Sequence, residues 1–157
     1  MINPQEYLFS IVVIASIATQ AFAQTPSPCE LSATVSCAKF SVAQLLEKET
    51  AHLVSSGFRP TDGDRIAIID KGGIEEFHVE LEVGVDYAII AACGHICGHV
   101  EVRMLNEQQD PIAASTEQQQ VVILNGAPSA RGTYVVTIAA PGCEHIFCGI
   151  GLAIVRK

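Results

Sequence analysis

The 157-residue chain carries 9 Lys plus Arg against 17 Asp plus Glu, a net charge of −8 with histidines neutral, and no tryptophan. Without a basic cluster this balance argues against nucleic acid as a partner, because phosphate binding needs a positive stripe. With 49% hydrophobic residues, a chain of this length supports one domain with a substantial core.

An apolar run at residues 8–18 leads into Ala21-Phe22-Ala23 ahead of Gln24. This A-x-A pattern predicts a secretory signal peptide over residues 1–23, although its n-region lacks Lys and Arg. Cleavage leaves 134 residues and a net charge of −7, since Glu6 departs with the signal. The 8–18 run is too short to span a bilayer, and no later stretch reaches about 18 uninterrupted apolar residues. The expected localisation is therefore exported, periplasmic or secreted, with no membrane span after cleavage. Residues 24–40 read as an N-terminal segment, mobile over 24–28, and residues 41–157 as one domain of a helix plus a β-sandwich.

The helix is expected over about residues 41–56. Ser41-x-x-Gln44 has the form of a capping box, Val42, Leu45, Leu46 and Leu53 recur at helical spacing, and Gly57 is placed to stop it. Such an amphipathic helix most simply packs on its own domain. Beyond the turn at residues 60–64 the period falls to two. Strands are expected at 65–70, 76–82, 87–92, 98–105, 112–114, 119–124, 133–140 and 147–155, punctuated by Lys71-Gly72-Gly73, Val83-Gly84, Asn125-Gly126 and Pro141-Gly142. The predicted class is mainly β, a jelly-roll β-sandwich of about eight strands with one N-terminal amphipathic helix.

Two stretches echo each other: YAIIAACGHICG at residues 87–98 and YVVTIAAPGCEHIFCG at 134–149. Each runs from a tyrosine into Ala-Ala, then Cys-x-His-Ile and a second Cys-Gly. In an oxidising compartment an even set of six cysteines pairs by default. Spacing favours neighbours: Cys29 with Cys37, Cys93 with Cys97, and Cys143 with Cys148. On a straight strand Cys93, His95, Cys97 and His99 would spread over about 20 Å, too far to share one metal. A fold-back at Gly94-His95-Ile96, and a second at residues 144–147, would bring each cysteine pair to the roughly 5.5 Å a bridge requires, as clamped hairpin tips. Loops this short constrain the unfolded chain by only about 2 kcal/mol each in the chain-entropy model.

The run Gly57-Phe58-Arg59-Pro60, the segment 77–87 with Leu81-x-x-Gly84-x-x-Tyr87, the paired cysteines and Gly132-Thr133-Tyr134 resemble the bacterial pre-peptidase C-terminal domain in its stand-alone exported form. The resemblance covers roughly residues 43–155. It implies a jelly-roll sandwich that is either appended to secreted enzymes or alone with a short N-terminal helix. Relatives often carry aspartates through the first cysteine pair and the following strand, where calcium has been suggested. Here Gly94, Ile96, His99, Val100, Glu101 and Val102 stand at those positions, and one acid is too few for a calcium cage of 6–8 oxygens.

Two function classes lead. The first is a non-enzymatic exported module that binds a protein or polymer at the cell envelope or outside the cell, an expectation that rests on the resemblance. The alternative is a small metal-binding protein holding Zn²⁺, Cu²⁺ or Ni²⁺ on His95, His99 and His145 with Glu144 or Glu101, which requires both cysteine tips at one end of the sandwich. The plainer reading of these histidines is exposed turn and strand residues, with no cofactor. Catalysis has little support: every cysteine has an expected partner, no serine lies in a nucleophile-elbow sequence, and Gly149-x-Gly151 reads as a close-packing point or a bulge.

Overall fold

The computed structural model describes Cys29 and residues 34–61, 63–115 and 117–157. The expected signal peptide and the segment 24–28 lie outside the described residues. One helix, α1 (Val35–Ser55), precedes nine strands: β1 (Arg59–Pro60), β2 (Arg65–Asp70), β3 (Ile74–Leu81), β4 (Tyr87–Cys93), β5 (Glu101–Leu105), β6 (Pro111–Ser115), β7 (Val121–Gly126), β8 (Gly132–Ala139) and β9 (Phe147–Arg156).

All pairings are antiparallel. One sheet holds β9, β4 and β7 in order, with β1 and β2 both along the far side of β9. The other has the order β3-β8-β5-β6. With the two-residue β1 counted as an extension of the β2 edge, β2-β9-β4-β7 facing β3-β8-β5-β6 is jelly-roll topology. The strands lie close to their expected positions. Three expectations shift: 98–105 becomes a strand only at Glu101, because residues 94–100 carry the chain from one sheet to the other; 119–124 moves to Val121–Gly126, so that Asn125-Gly126 lies in the strand and pairs with β4 instead of forming a turn; and Arg59–Pro60 pairs with β9 as a short strand that was not expected.

The first sheet is covered on both faces. Its inner face meets Phe77, Val79, Leu81, Val102, Tyr134, Val136 and Ile138 of the second sheet. Its outer face lies under α1, where Val42 and Leu46 pack on Ala88, Ile90, Ala92, Ala153 and Val155. This double cover explains why β4 is buried at every residue and why β4 and β9 read as continuous apolar runs instead of alternating ones. The outer face of the second sheet is solvated, so β3 alternates: Phe77, Val79 and Leu81 are buried, Glu76, His78 and Glu80 exposed.

Helix α1 starts earlier than its sequence indicated. Thr34 is the N-cap and accepts the Cys37 N–H, so Ser41 is not a cap but lies within the helix. The buried stripe of Ala38, Val42 and Leu46 extends the helical spacing back past Ser41. Cys37 is also tied to Cys29, 5.0 Å away between Cα atoms. At the other end Gly57 adopts φ +96°, Phe58 N–H bonds Leu53 O (3.1 Å) and Gly57 N–H bonds Val54 O (3.0 Å). That is a Schellman termination with Phe58 and Leu53 packed on the same cluster.

The helix sits close enough to β9 that glycine is required beneath it. A Cβ on Gly151 would lie 2.6 Å from Val42 Cγ1 and 2.8 Å from Leu46 Cδ1, and one on Gly149 would lie 2.6 Å from Ala38 O. Gly149 and Gly151 are therefore a close-packing point, as expected from their place in a strand.

Candidate functional site

The two echoed stretches span the sandwich from end to end. Each begins at a buried tyrosine that ties down the loop before it: Tyr87 Oη accepts the Glu82 N–H (3.1 Å), and Tyr134 Oη donates to Ala130 O (2.7 Å). Each ends at a disulfide, Cys93–Cys97 with Cα atoms 5.8 Å apart and Cys143–Cys148 at 6.0 Å. All four of these cysteines are buried in the main core, so the bridges plug its end.

The clamped turns are not hairpin tips. A hairpin would pair β4 with β5 and β8 with β9, yet β4 is flanked by β7 and β9, and β5 by β6 and β8. They are corners at which the chain changes sheets. Each corner has a tight turn ending on a cysteine: Cys97 N–H bonds Gly94 O (2.9 Å) inside the first disulfide loop, and Cys143 N–H bonds Ala140 O (3.0 Å) just before the second. The corners then join. Cys97 and Cys143 form an antiparallel bridge, and Gly98 N–H donates to Gly142 O (3.0 Å). Side chains are excluded from this seam: a Cβ on Gly142 would lie 2.7 Å from both His99 N and Nδ1.

Both corners thus sit at one end of the molecule, as the metal reading required, but their ligand candidates diverge. His95 is half-buried and faces α1, its N–H donating to Ser41 Oγ (3.2 Å), and its ring lines a hollow of about 260 Å³ with Phe40, Gln44, Lys48 and Gln120. His99 packs against Gly142. Glu101 lines a shallow hollow on the outer face of the second sheet beside Arg103 and Thr137. Glu144 and His145 are exposed on the second corner. Among the described residues no three His, Cys, Asp or Glu side chains form a group that could hold a metal ion.

The feature that sequence reasoning missed is Ile146. It is 83% exposed, the most exposed of the large apolar side chains among the described residues. Its backbone is held on two sides, by the Cys143–Cys148 loop and by the Lys71 N–H bonded to Ile146 O (2.9 Å). Its signal in the sequence was only its position between His145 and Phe147, where alternation left its direction open. The first corner is braced as well: Gln120 Nε2 donates to Cys97 O (2.9 Å), and Gly94 N–H to Gly149 O (3.0 Å). A second hollow of about 260 Å³ opens between the sheets at the opposite end, lined by Leu81, Tyr87, Ile89, Met104, Leu124 and Asn125 among others.

No helix among the described residues is long and apolar enough to cross a membrane. No protein-family model and no curated protein sequence matches the chain. Among solved structures it is similar to a periplasmic lysozyme inhibitor of g-type lysozyme from Aeromonas hydrophila, PliG, at 11% identity and a TM-score of 0.46, over 65% of this chain and 90% of that one. It is also similar to an arabinose-bound α-L-arabinofuranosidase at 11% identity and a TM-score of 0.35, over 66% of this chain and 24% of the enzyme. Neither superposition reaches 0.5, so neither bears on what the chain binds.

Proposed function

We propose that this chain is a non-enzymatic, exported module that binds another protein or a polymer at the cell envelope or outside the cell, and that it meets its partner through the disulfide-clamped end. The observation that carries this reading is Ile146, a large apolar side chain held out to solvent on a covalently closed corner. Exposing such a side chain forgoes roughly 1.5–3 kcal/mol of burial. Holding it rigid lowers the ordering cost of association, as expected of an interface anchor. His145 and Glu144 supply polar neighbours for a rim.

Three disulfides fit an oxidising compartment and leave no thiolate among the six cysteines to serve as a nucleophile. A jelly-roll sandwich preceded by a helix is also the architecture that the resemblance to stand-alone pre-peptidase C-terminal domains implies, and membership of that family is part of the proposal.

The test is a photo-crosslinking residue placed at position 146 and, separately, at exposed Val83. Cross-linking in envelope extracts should join position 146 to one defined partner and leave position 83 unlinked. Equal labelling from both positions, or none from 146, would sink the reading.

A further inference from the structure

Four sheet edges have no further strand paired to them among the described residues, and three carry features that hinder the addition of another strand. The β3 edge bears Glu76, His78 and Glu80. The β6 edge starts at Pro111 and its register with β5 shifts at Met104/Leu105. The edge made by β1 and β2 contains Pro60 and is split into two separate strands. Charges, prolines, bulges and breaks are the usual protections of an edge. β7 has none of them: it reads Val-Val-Ile-Leu-Asn-Gly, and no charged residue occurs between Glu117 and Arg131.

The ladder shows which groups β7 presents. Cys93 N–H donates to Gln120 O (2.9 Å), and Ala91 and Ile89 stand opposite Val122 and Leu124. Antiparallel alternation therefore turns Gln120, Val122 and Leu124 toward β4, and the N–H and C=O groups of Val121, Ile123 and Asn125 outward. Gln119, in the same outward phase, already accepts an N–H from that side, that of Val100 (2.9 Å). Beyond it, among the described residues, no strand pairs with the outer side of β7.

A trough of about 320 Å³ runs beside this edge, lined by Glu49, Glu117, Gln119, Val121, Val122 and Ile123. Its two charged side chains are both acidic; Lys48 lies 4.0 Å from Glu49, whereas Glu117 has no ion-pair partner among the described residues. A second copy of this chain carries the same net charge of −8 and would approach against like charge overall. A basic segment would meet opposite charge.

We infer that the β7 edge is a strand-addition site for an extended, basic segment of a partner protein. The outward backbone groups of Val121, Ile123 and Asn125 provide the hydrogen bonds, and Glu117 and Glu49 select Lys or Arg on the incoming strand. The site is separate from Ile146, and failure of either reading leaves the other standing.

The experiment is residue-resolved amide exchange on the purified protein with two synthetic ten-residue Thr/Val peptides, one carrying two lysines and its counterpart two glutamates. The lysine peptide should slow exchange at Val121, Ile123 and Asn125 by about tenfold or more while Val122 and Leu124 stay protected throughout; the glutamate peptide should do less. Asn125→Pro deletes one outward N–H without touching the β4 ladder and should weaken the effect at unchanged melting temperature. Glu117→Lys should reverse the peptide preference, and it carries the test alone if the proline variant proves destabilised. The inference is overturned by no protection, by equal protection from both peptides, or by those amides being protected in a peptide-free dimer, which would make the occupant a second copy.

Discussion

Cys97 and Cys143 face each other across an antiparallel bridge, yet each is disulfide-bonded to a different, local partner. The two corners are thus joined by backbone hydrogen bonds and closed separately by sulfur. Non-reducing mass mapping should find Cys93 linked to Cys97 and Cys143 to Cys148, and a Cys97–Cys143 cross-link would overturn this arrangement. Replacing Cys93 and Cys97 by alanine should cost about 2 kcal/mol from the unfolded chain's regained freedom, read as a lower denaturation midpoint, with the other pair still formed.

Gly151→Ala forces a Cβ against Val42 and Leu46, and the backbone of β9 cannot retreat because β2 and β4 hold it from both sides. A loss of about 1–3 kcal/mol is expected in urea unfolding. Val42→Ala in the same chain should restore part of it. A strictly additive double mutant would show that the helix does not rest on this glycine.

Ser41 Oγ donates to Ala38 O (3.2 Å) and accepts the His95 N–H (3.2 Å), which pins the first corner to the helix. Ser41→Ala leaves that N–H without its acceptor and should cost about 0.5–1.5 kcal/mol. Gly94→Ala places a Cβ 2.5 Å from Ser41 Oγ and should be better tolerated in the Ser41→Ala background than alone. Thermal melts of the four proteins check both statements.

Ile146→Asp removes no buried contact, so stability should stay within about 0.5 kcal/mol of the parent. Cross-linking from a neighbouring position such as 145 should nevertheless be lost. Retained cross-linking with unchanged stability would mean that Ile146 is not the anchor.

Asp64, just before β2, is an exposed residue whose carboxyl is raised from its ordinary value, first by partial desolvation and second by the negative charge of Glu47 on α1. A raised acid favours the folded state while protonated, so this contribution is full below its unfolded pKa near 3.8 and is lost as pH rises through the folded value. Asp64→Asn should therefore raise the melting temperature at pH 7, with the difference closing toward pH 3.5. A pH-independent difference would contradict the assignment.

Much of this architecture was legible from residue order. Most strand positions follow from Gly and Pro punctuation and, outside the continuously apolar β4 and β9, from period-two alternation, and the end of α1 follows from Gly57, because each is decided by residues a few positions apart. The same locality favoured the disulfide partners, each of which lies within eight residues of its mate. Local spacing misplaced the start of α1, where Ser41-x-x-Gln44 imitates a cap and Thr34 is the real one. Which sheet a strand joins was not legible, because a seven-residue connection between two apolar strands looks the same whether the strands pair with each other or separate. That choice is made by partners far away in the chain: β9 takes one side of β4 and β7 the other, which obliges β5 to cross over and turns an expected hairpin into a corner. The sequence by itself therefore determined most of the elements and favoured their covalent clamps. Only the tertiary structure decided that the two clamps meet, that Ile146 stands exposed beside them, and that β7 keeps an open edge, because each depends on non-local pairing and burial that no periodicity encodes.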